Sequence, residues 1–232
     1  MIKAVIIDFD DTLCLTEEAC FNLENQALKR MGRATMSRDI HKQTWGQQLF
    51  EAIKIRSPGV DVETFRQILT GLIPEWTATG RLDAITPESF AALDALADQG
   101  RELFILTSRT HKEAEHLIAA DHELSGRIKA FYYRDNMQYH KPDPRAFDIL
   151  LKDHGFTKDE CVYVGDSPSD AEAAKKAHMH FIASLESGVR TKNDFAPYAV
   201  DRFIARFSDL PAAIASLDKN AAVLAQHSVN TL

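Results

Sequence analysis

Residues 4–12 read Ala4-Val5-Ile6-Ile7-Asp8-Phe9-Asp10-Asp11-Thr12, four apolar residues running into three carboxylates within four positions. The apolar run is too short for a helix and suits a strand covered on both faces. Asp8 also interrupts it long before the core of a signal peptide would be complete. A strand that empties into acidic residues at its C-terminal end sets them where open α/β sheets bind ligands. Taken alone, the stretch reads equally well as a strand-to-loop turn, in which Asp and Thr are favoured for local hydrogen bonds.

Further short apolar runs at 102–107, 130–134, 161–165 and 180–183 alternate with helical patterns, which predicts an α/β fold with a doubly wound, mostly parallel sheet. The helices carry start signals. Thr86 precedes Pro87, with Phe90, Leu93 and Leu96 on one face and Gly100 as a stop. Thr110 with Glu113 predicts a capping box, and Asp143-Pro144 opens another helix with Phe147, Leu150 and Leu151 facing inward. Residues 9–101, between the first two strands, far exceed what one crossover helix needs. Within them, 16–82 read as an inserted helical bundle: Thr16 to Gly32, Leu49 to Ile53, and a helix from Asp61 whose stripe of Phe65, Ile68, Leu69, Leu72 and Ile73 is ended or kinked by Pro74. The core domain is therefore expected at 1–15 and 83–232.

The 232 residues include 45% hydrophobic and 26% charged residues, values ordinary for a globular chain and against disorder. With 27 basic and 34 acidic residues the net charge is −7, which disfavours nucleic-acid and anionic-membrane partners. No apolar stretch reaches membrane-spanning length. Cys14, Cys20 and Cys161 are odd in number and lack CxxC spacing, so a cytoplasmic, reducing setting fits.

A second acidic cluster, Gly165-Asp166-Ser167-Pro168-Ser169-Asp170, follows the apolar run 161–165. Ser167 and Pro168 read as a cap and first helical residue, with Asp170 favoured in the first turn. That accounts for Asp170 and leaves Asp166, at a strand end as Asp8 is, unexplained. Two such clusters brought together repel, each like pair at about 4 Å costing on the order of 1–4 kcal/mol. Carboxylates without His or Cys favour a hard cation, and Mg²⁺ shared with a substrate phosphate is the simplest solution. Thr107-Ser108-Arg109, after another strand, offers hydroxyls and amides suited to phosphate oxygens, although such a Thr is also an ordinary turn residue. Lys141, ahead of Pro142-Asp143-Pro144, is a candidate charge balancer.

In this order the motifs resemble the haloacid dehalogenase-like superfamily: D-x-D-x-T as Asp8, Asp10 and Thr12; a Thr ending the next strand, Thr107; a Lys, Lys141; and G-D-x-x-x-D as Gly165, Asp166 and Asp170. Each is weak alone, and four in order at strand ends are specific. The inserted helices correspond to the family's cap between the first two motifs, in the build of the phosphoglycolate phosphatases. The resemblance implies that Asp8 is the nucleophile forming an aspartyl-phosphate and that Asp10 is the general acid and base. Mg²⁺ would be held by Asp8, the Asp10 carbonyl and Asp166, with Asp170 acting through water. Thr107, Ser108 and Lys141 would bind the phosphoryl group.

Asp10 separates the phosphotransferases from the dehalogenases proper, so the chain looks like a phosphatase acting on a small phosphorylated metabolite. Phosphomutases of similar build carry a His early in the cap, where this chain has Thr16-Glu17-Glu18-Ala19-Cys20. Phosphonatases use a cap Lys, for which Lys29, Lys42 and Lys54 are formal candidates. A phospho-receiver would need neither the insertion nor Asp10. Substrate choice is expected from the cap loop Trp45-Gly46-Gln47-Gln48, whose Trp reads equally as a core residue of the bundle. Asp11 stands where phosphoglycolate phosphatases usually have Gly, a departure that bears on that assignment. His178 and His180, read as neighbours on one strand face, form a zinc pair without a third ligand nearby.

Overall fold

The computed structural model describes residues 1–45, 47–83 and 85–229. The chain divides into two compact units, Met1–Leu13 with Thr86–Leu232, and Cys14–Ile85.

The first unit is built on six strands: β1 (Ala4–Ile7), β2 (Glu102–Leu106), β3 (Ala130–Tyr132), β4 (Cys161–Gly165), β5 (His180–Ser184) and β6 (Arg202–Ile204). They lie in the order β3-β2-β1-β4-β5-β6, and every pairing is parallel. This is the doubly wound order in which the chain reverses direction across the sheet beside β1, leaving a crevice at the strands' C-terminal ends. Strand register sets the faces. Ala4 and Ile6 lie beside Cys161 and Tyr163, and with Phe104, Leu106, Phe181 and Ala183 they fall in one buried cluster with Phe147 and Leu150. The alternate residues Val5, Ile7, Leu103, Ile105, Val162 and Val164 are equally buried, so both faces are covered. β6 has no counterpart in the expected strands; its three residues begin with Arg202 after Asp201, too short and too charged to register as an apolar run.

Helices of this unit start where the sequence signals them. For α5 (Pro87–Asp98), Thr86 accepts from the Ser89 amide, and Gly100 follows with φ +77°, a conformation that favours glycine. α6 (His111–Ala114) carries the Thr110–Glu113 capping box. Asp143-Pro144 opens a 3₁₀ turn, Pro144–Phe147, that runs into α7 (Asp148–His154). α8 (Pro168–Lys176) is capped by Ser167, and α9 is Leu210–Val229.

The second unit holds α1 (Thr16–Arg30), α2 (Arg38–Gln43), α3 (Leu49–Arg56) and α4 (Val62–Ala78). Leu23, Ala27, Leu28, Ile53, Phe65, Leu69, Leu72 and Trp76 form its apolar core. Pro74 does not end α4, which runs on to Ala78, and Ile73 of the expected stripe is exposed. α2 was not anticipated because its six residues, Arg-Asp-Ile-His-Lys-Gln, show no apolar period. No helix among the described residues is long and apolar enough to cross a membrane.

Candidate active site

β1 and β4 are hydrogen-bonded neighbours, and their register, Ile7 beside Val164, carries Asp8 and Asp166 to the same edge. The Asp8 amide donates to the Val164 carbonyl at 2.8 Å, extending the ladder one residue into the acidic loop. Asp170 arrives one helical turn into α8. A Cβ on Gly165 would lie 2.6 Å from both Cβ and Cγ of Asp170, so glycine is what lets that carboxylate fold back against the strand end. Asp8, Asp166 and Asp170 each offer an oxygen within 4.8 Å of the others.

Lys141 is driven into this group. Its Nζ lies 2.9 Å from Asp8 Oδ1 and 2.7 Å from Asp170 Oδ1, and its side chain is 5% exposed. Asp170 is saturated: Tyr163 Oη donates to Oδ1 at 2.9 Å, while the Ser167 amide and hydroxyl donate to Oδ2 at 3.0 and 2.6 Å. Asp8 accepts from the Phe9 amide at 2.9 Å. The Asp166 carboxylate accepts no hydrogen bond among the described residues.

These surroundings set the ionisation. Burial pushes Asp8 up to about 7, with Lys141 opposing and the charges of Asp170 and Asp10 adding to the rise. Burial and the repulsion of Asp170, Asp8 and Asp11 hold Asp166 well above the usual carboxylate range. Asp170 goes the other way: burial is outweighed by Lys141 and the Ser167 donors, so it stays ionised. Lys141 is held charged above the ordinary lysine value, burial being outweighed by Asp170 and Asp8. With all three ionised, three carboxylates against one ammonium leave two negative charges unbalanced. The donor-free carboxylate of Asp166, an all-oxygen ligand set and this charge deficit together fit a hard divalent cation such as Mg²⁺.

Asp10 follows the strand end and faces Arg109, whose Nη2 and Nε lie 2.7 and 3.1 Å from Oδ1, with Nε also 3.1 Å from Oδ2. Thr107 is buried at the end of β2, where its amide donates to the Tyr132 carbonyl at 2.9 Å and its hydroxyl accepts from the Arg109 amide at 3.2 Å. Ser108 follows it in the same loop, exposed. Thr12 is buried, its hydroxyl without a hydrogen-bond partner among the described residues. Asp11 has φ +57°, the left-handed region that glycine enters freely and Asp tolerates.

Trp45 and Gln47 belong to the second unit, Trp45 half-buried with its ring 5.3 Å from that of His41 and Gln47 exposed; Gly46 lies outside the described residues. Of the lysines weighed for a Schiff base, Lys29 and Lys54 are exposed, Lys54 paired with Glu51 at 2.8 Å, and Lys42 is half-buried. His178 precedes β5 rather than sharing its face with His180, and His180 Nδ1 lies 3.4 Å from Asp201. The pairing on one strand fails because α8 ends at Lys176 and His178 occupies the turn, with φ +60°.

Sequence reasoning gave no role to the side chains of Tyr163 and Arg109. Tyr163 reads as an ordinary strand aromatic, and Arg109 as a loop cation.

An all-parallel doubly wound sheet with carboxylates gathered at the switch point defines an α/β enzyme of the acid-cluster type. A family model described as haloacid dehalogenase-like hydrolase matches residues 5–184, and the chain belongs to that family. It is a hydrolase of the family's phosphatase branch. Among its relatives are the phosphoglycolate phosphatase of Rhodobacter capsulatus, 26% identical over 91% of this chain and 95% of its own, and the enolase-phosphatase E1 of Aquifex aeolicus, 22% identical over 84% and 95%. A haloacid dehalogenase-superfamily hydrolase, subfamily IA, from Geobacter sulfurreducens has the same fold, with a TM-score of 0.69 at 22% identity over 90% of this chain and 94% of its own.

Proposed function

We propose that the chain is a Mg²⁺-dependent phosphomonoesterase that hydrolyses a small phosphorylated metabolite through a phosphorylated Asp8. The observation that carries this reading is the buried triad of Asp8, Asp166 and Asp170 bridged by Lys141, a strand-end site two positive charges short of balance. Asp8, the Asp10 backbone carbonyl and Asp166 would hold the metal. Asp170, both of whose oxygens already accept hydrogen bonds, would act through water. When bound, Mg²⁺ supplies the positive charge that lets a carboxylate approach an anionic phosphoryl group.

The chain's own groups then divide the work. An Asp8 oxygen attacks phosphorus, forming the Oδ–P bond as the bond to the leaving oxygen breaks. Asp10 gives that oxygen a proton and afterwards takes one from the water that attacks the phosphoenzyme, which breaks the Oδ–P bond and restores Asp8. The Thr107 hydroxyl, the Ser108 amide and Lys141 hold the three non-bridging oxygens as charge develops on them. Residues 16–82 would be the cap domain and 1–15 with 83–232 the core domain, and we assign substrate choice to Trp45, Gly46 and Gln47 of the cap. Placement of an acid at Asp10 favours turnover over a receiver that would only store phosphate.

The test is hydrolysis of p-nitrophenyl phosphate and of a panel of phosphorylated sugars, nucleotides and organic acids by the purified chain. Steady turnover with Mg²⁺, lost in EDTA and regained on adding metal, is expected. Asp8→Asn should lower turnover by more than about a thousandfold with the melting temperature kept. Stoichiometric labelling without turnover, or an active Asp8→Asn protein, overturns the reading.

A further inference from the structure

Asp10 stands just beyond β1 with its side chain 35% exposed, and the steps above require it to meet first the leaving oxygen and then the attacking water. A carboxylate serves as acid or base only when its torsions aim one oxygen at the reacting atom. Arg109 supplies that aim. Its Nη2 donates to Asp10 Oδ1 at 2.7 Å, and its Nε lies 3.1 Å from both Oδ1 and Oδ2. A planar fork that meets both oxygens fixes the plane of the carboxylate as well as its distance, which an ammonium does not.

The fork is itself held. The Arg109 amide donates to Thr107 Oγ1 at 3.2 Å and its carbonyl accepts from the Arg134 amide at 2.9 Å, which ties its backbone to the end of β2 and to the residues after β3. Its guanidinium lies on the face of Phe9, with Cζ 4.6 Å from the centroid of that fully buried ring. The Phe9 amide, in turn, donates to Asp8 Oδ1 at 2.9 Å. Phe9 thus holds the nucleophile through its backbone and the fork through its ring. Asp8, Phe9, Arg109 and Asp10 form a short circuit in which the position of the acid is tied to that of the attacking carboxylate. All four residues belong to the first unit, so the aim of Asp10 does not depend on where the inserted helices stand.

We propose that Arg109 is a positioning residue for the leaving-group step, holding the Asp10 carboxyl in the plane from which its proton is delivered. The inference rests on the phosphomonoesterase reading and deepens it. As the bond from phosphorus to the leaving oxygen breaks, the proton passes from Asp10 to that oxygen, and Asp10 is left as the carboxylate that serves the water step. Arg109 touches none of the reacting atoms in this scheme and acts through Asp10 alone. Its influence therefore falls on bonds whose breaking needs a proton. A strongly basic leaving oxygen depends on that delivery, and a weakly basic one departs without it.

The test compares phenyl phosphate with p-nitrophenyl phosphate on the full chain with Mg²⁺, two esters of similar shape whose leaving oxygens differ widely in basicity. The quantity read is the ratio of kcat/KM, phenyl over p-nitrophenyl, within each protein. It covers the steps up to departure of the phenol, omits hydrolysis of the phosphoenzyme, and is unmoved by a loss of folded material. Wild type should keep the ratio within about tenfold of one, the mark of a leaving oxygen that receives its proton. Arg109→Gln should lower the ratio by about 30-fold, a part of the roughly 10²–10⁴-fold that a positioned general acid supplies. Arg109→Lys, which keeps the charge and loses the fork, should leave most of that fall in place. In Asp10→Asn, read as phenol released in the first turnover, adding Arg109→Gln should change the ratio by less than about twofold, because both substitutions act on one proton. A ratio unmoved in Arg109→Gln, full recovery in Arg109→Lys, or a further fall in the double variant overturns the proposal. In each of those cases, Mg²⁺-dependent turnover of p-nitrophenyl phosphate leaves the phosphomonoesterase reading standing. Absence of Mg²⁺-dependent turnover of both esters by wild type removes both.

Discussion

Gly165 and Asp170 divide one volume between them: the strand's last residue gives up its side chain so that a carboxylate five positions on can occupy the space. Replacing Gly165 by Ala sets a methyl 2.6 Å from Asp170 Cβ, an atom too close to its own backbone to swing away. We expect G165A to lose about 1–3 kcal/mol of stability as an overpacking defect and to lose at least about tenfold in turnover, because Lys141 and Tyr163 both take their position from Asp170. Denaturant unfolding and kinetics on the same preparation check this. The same residues mark where the sequence could be read and where it could not. The gathering of Asp8, Lys141, Asp166 and Asp170 was legible because chemistry, order and strand-end position all point the same way. That Tyr163 caps Asp170 and that Arg109 meets Asp10 depends on which strands are neighbours in space, and local pattern does not carry that information.

At the scale of elements, the inserted helices hold a feature their apolar stripe conceals. His41 of α2 is fully buried, its Nδ1 2.6 Å from Glu17 and its Nε2 3.3 Å from Glu24, while Arg56 of α3 reaches Glu24 at 2.7 Å and the Thr44 hydroxyl at 2.8 Å. Arg38 completes the chain, at 2.6 Å from Glu17. With a carboxylate on either side, the imidazole gains by carrying both protons. Burial opposes its charge, but the bonds to Glu17 and Glu24 outweigh burial and raise its affinity for the proton. A base held above its unfolded value of about 6.5 stabilises the fold below that pH and loses the contribution as pH rises through the folded value. Stability should therefore decline as pH rises above about 6.5, and His41→Gln should flatten that decline in thermal melts. Arg56→Ala, which leaves Glu24 buried without its guanidinium, should cost about 3–5 kcal/mol in denaturant unfolding. The helices themselves were legible from period and caps, except α2, whose only apolar residue is Ile40. Its formation is a tertiary event, driven by ion pairs that no periodicity predicts.

For the molecule as a whole, the net charge of −7 disfavours polyanionic partners and is silent on a small anion. Part of that surplus is concentrated at one sheet edge, where it becomes a liability in the absence of metal. Asp8 rises from 3.8 to about 7 and Asp166 also rises, so over this interval the folded chain binds more protons than the unfolded one. Stability must then fall as pH climbs from about 4 to 7 in EDTA. Saturating Mg²⁺, which on the proposed reading binds the folded state, should flatten the slope and raise the melting temperature most near pH 7. A melting temperature indifferent to both pH and metal across this range would contradict the site's charge balance.

Lys141 carries a consequence for how the enzyme is assembled. Standing 2.9 Å from Asp8 and 2.7 Å from Asp170, it is a cation built into the chain, available from the moment the strands pair. The sheet can close around its acids without an ion, so on the proposed reading folding and metal loading would be separable events. A newly made chain would not need magnesium to become compact, and a mature one would lose and regain it without unravelling.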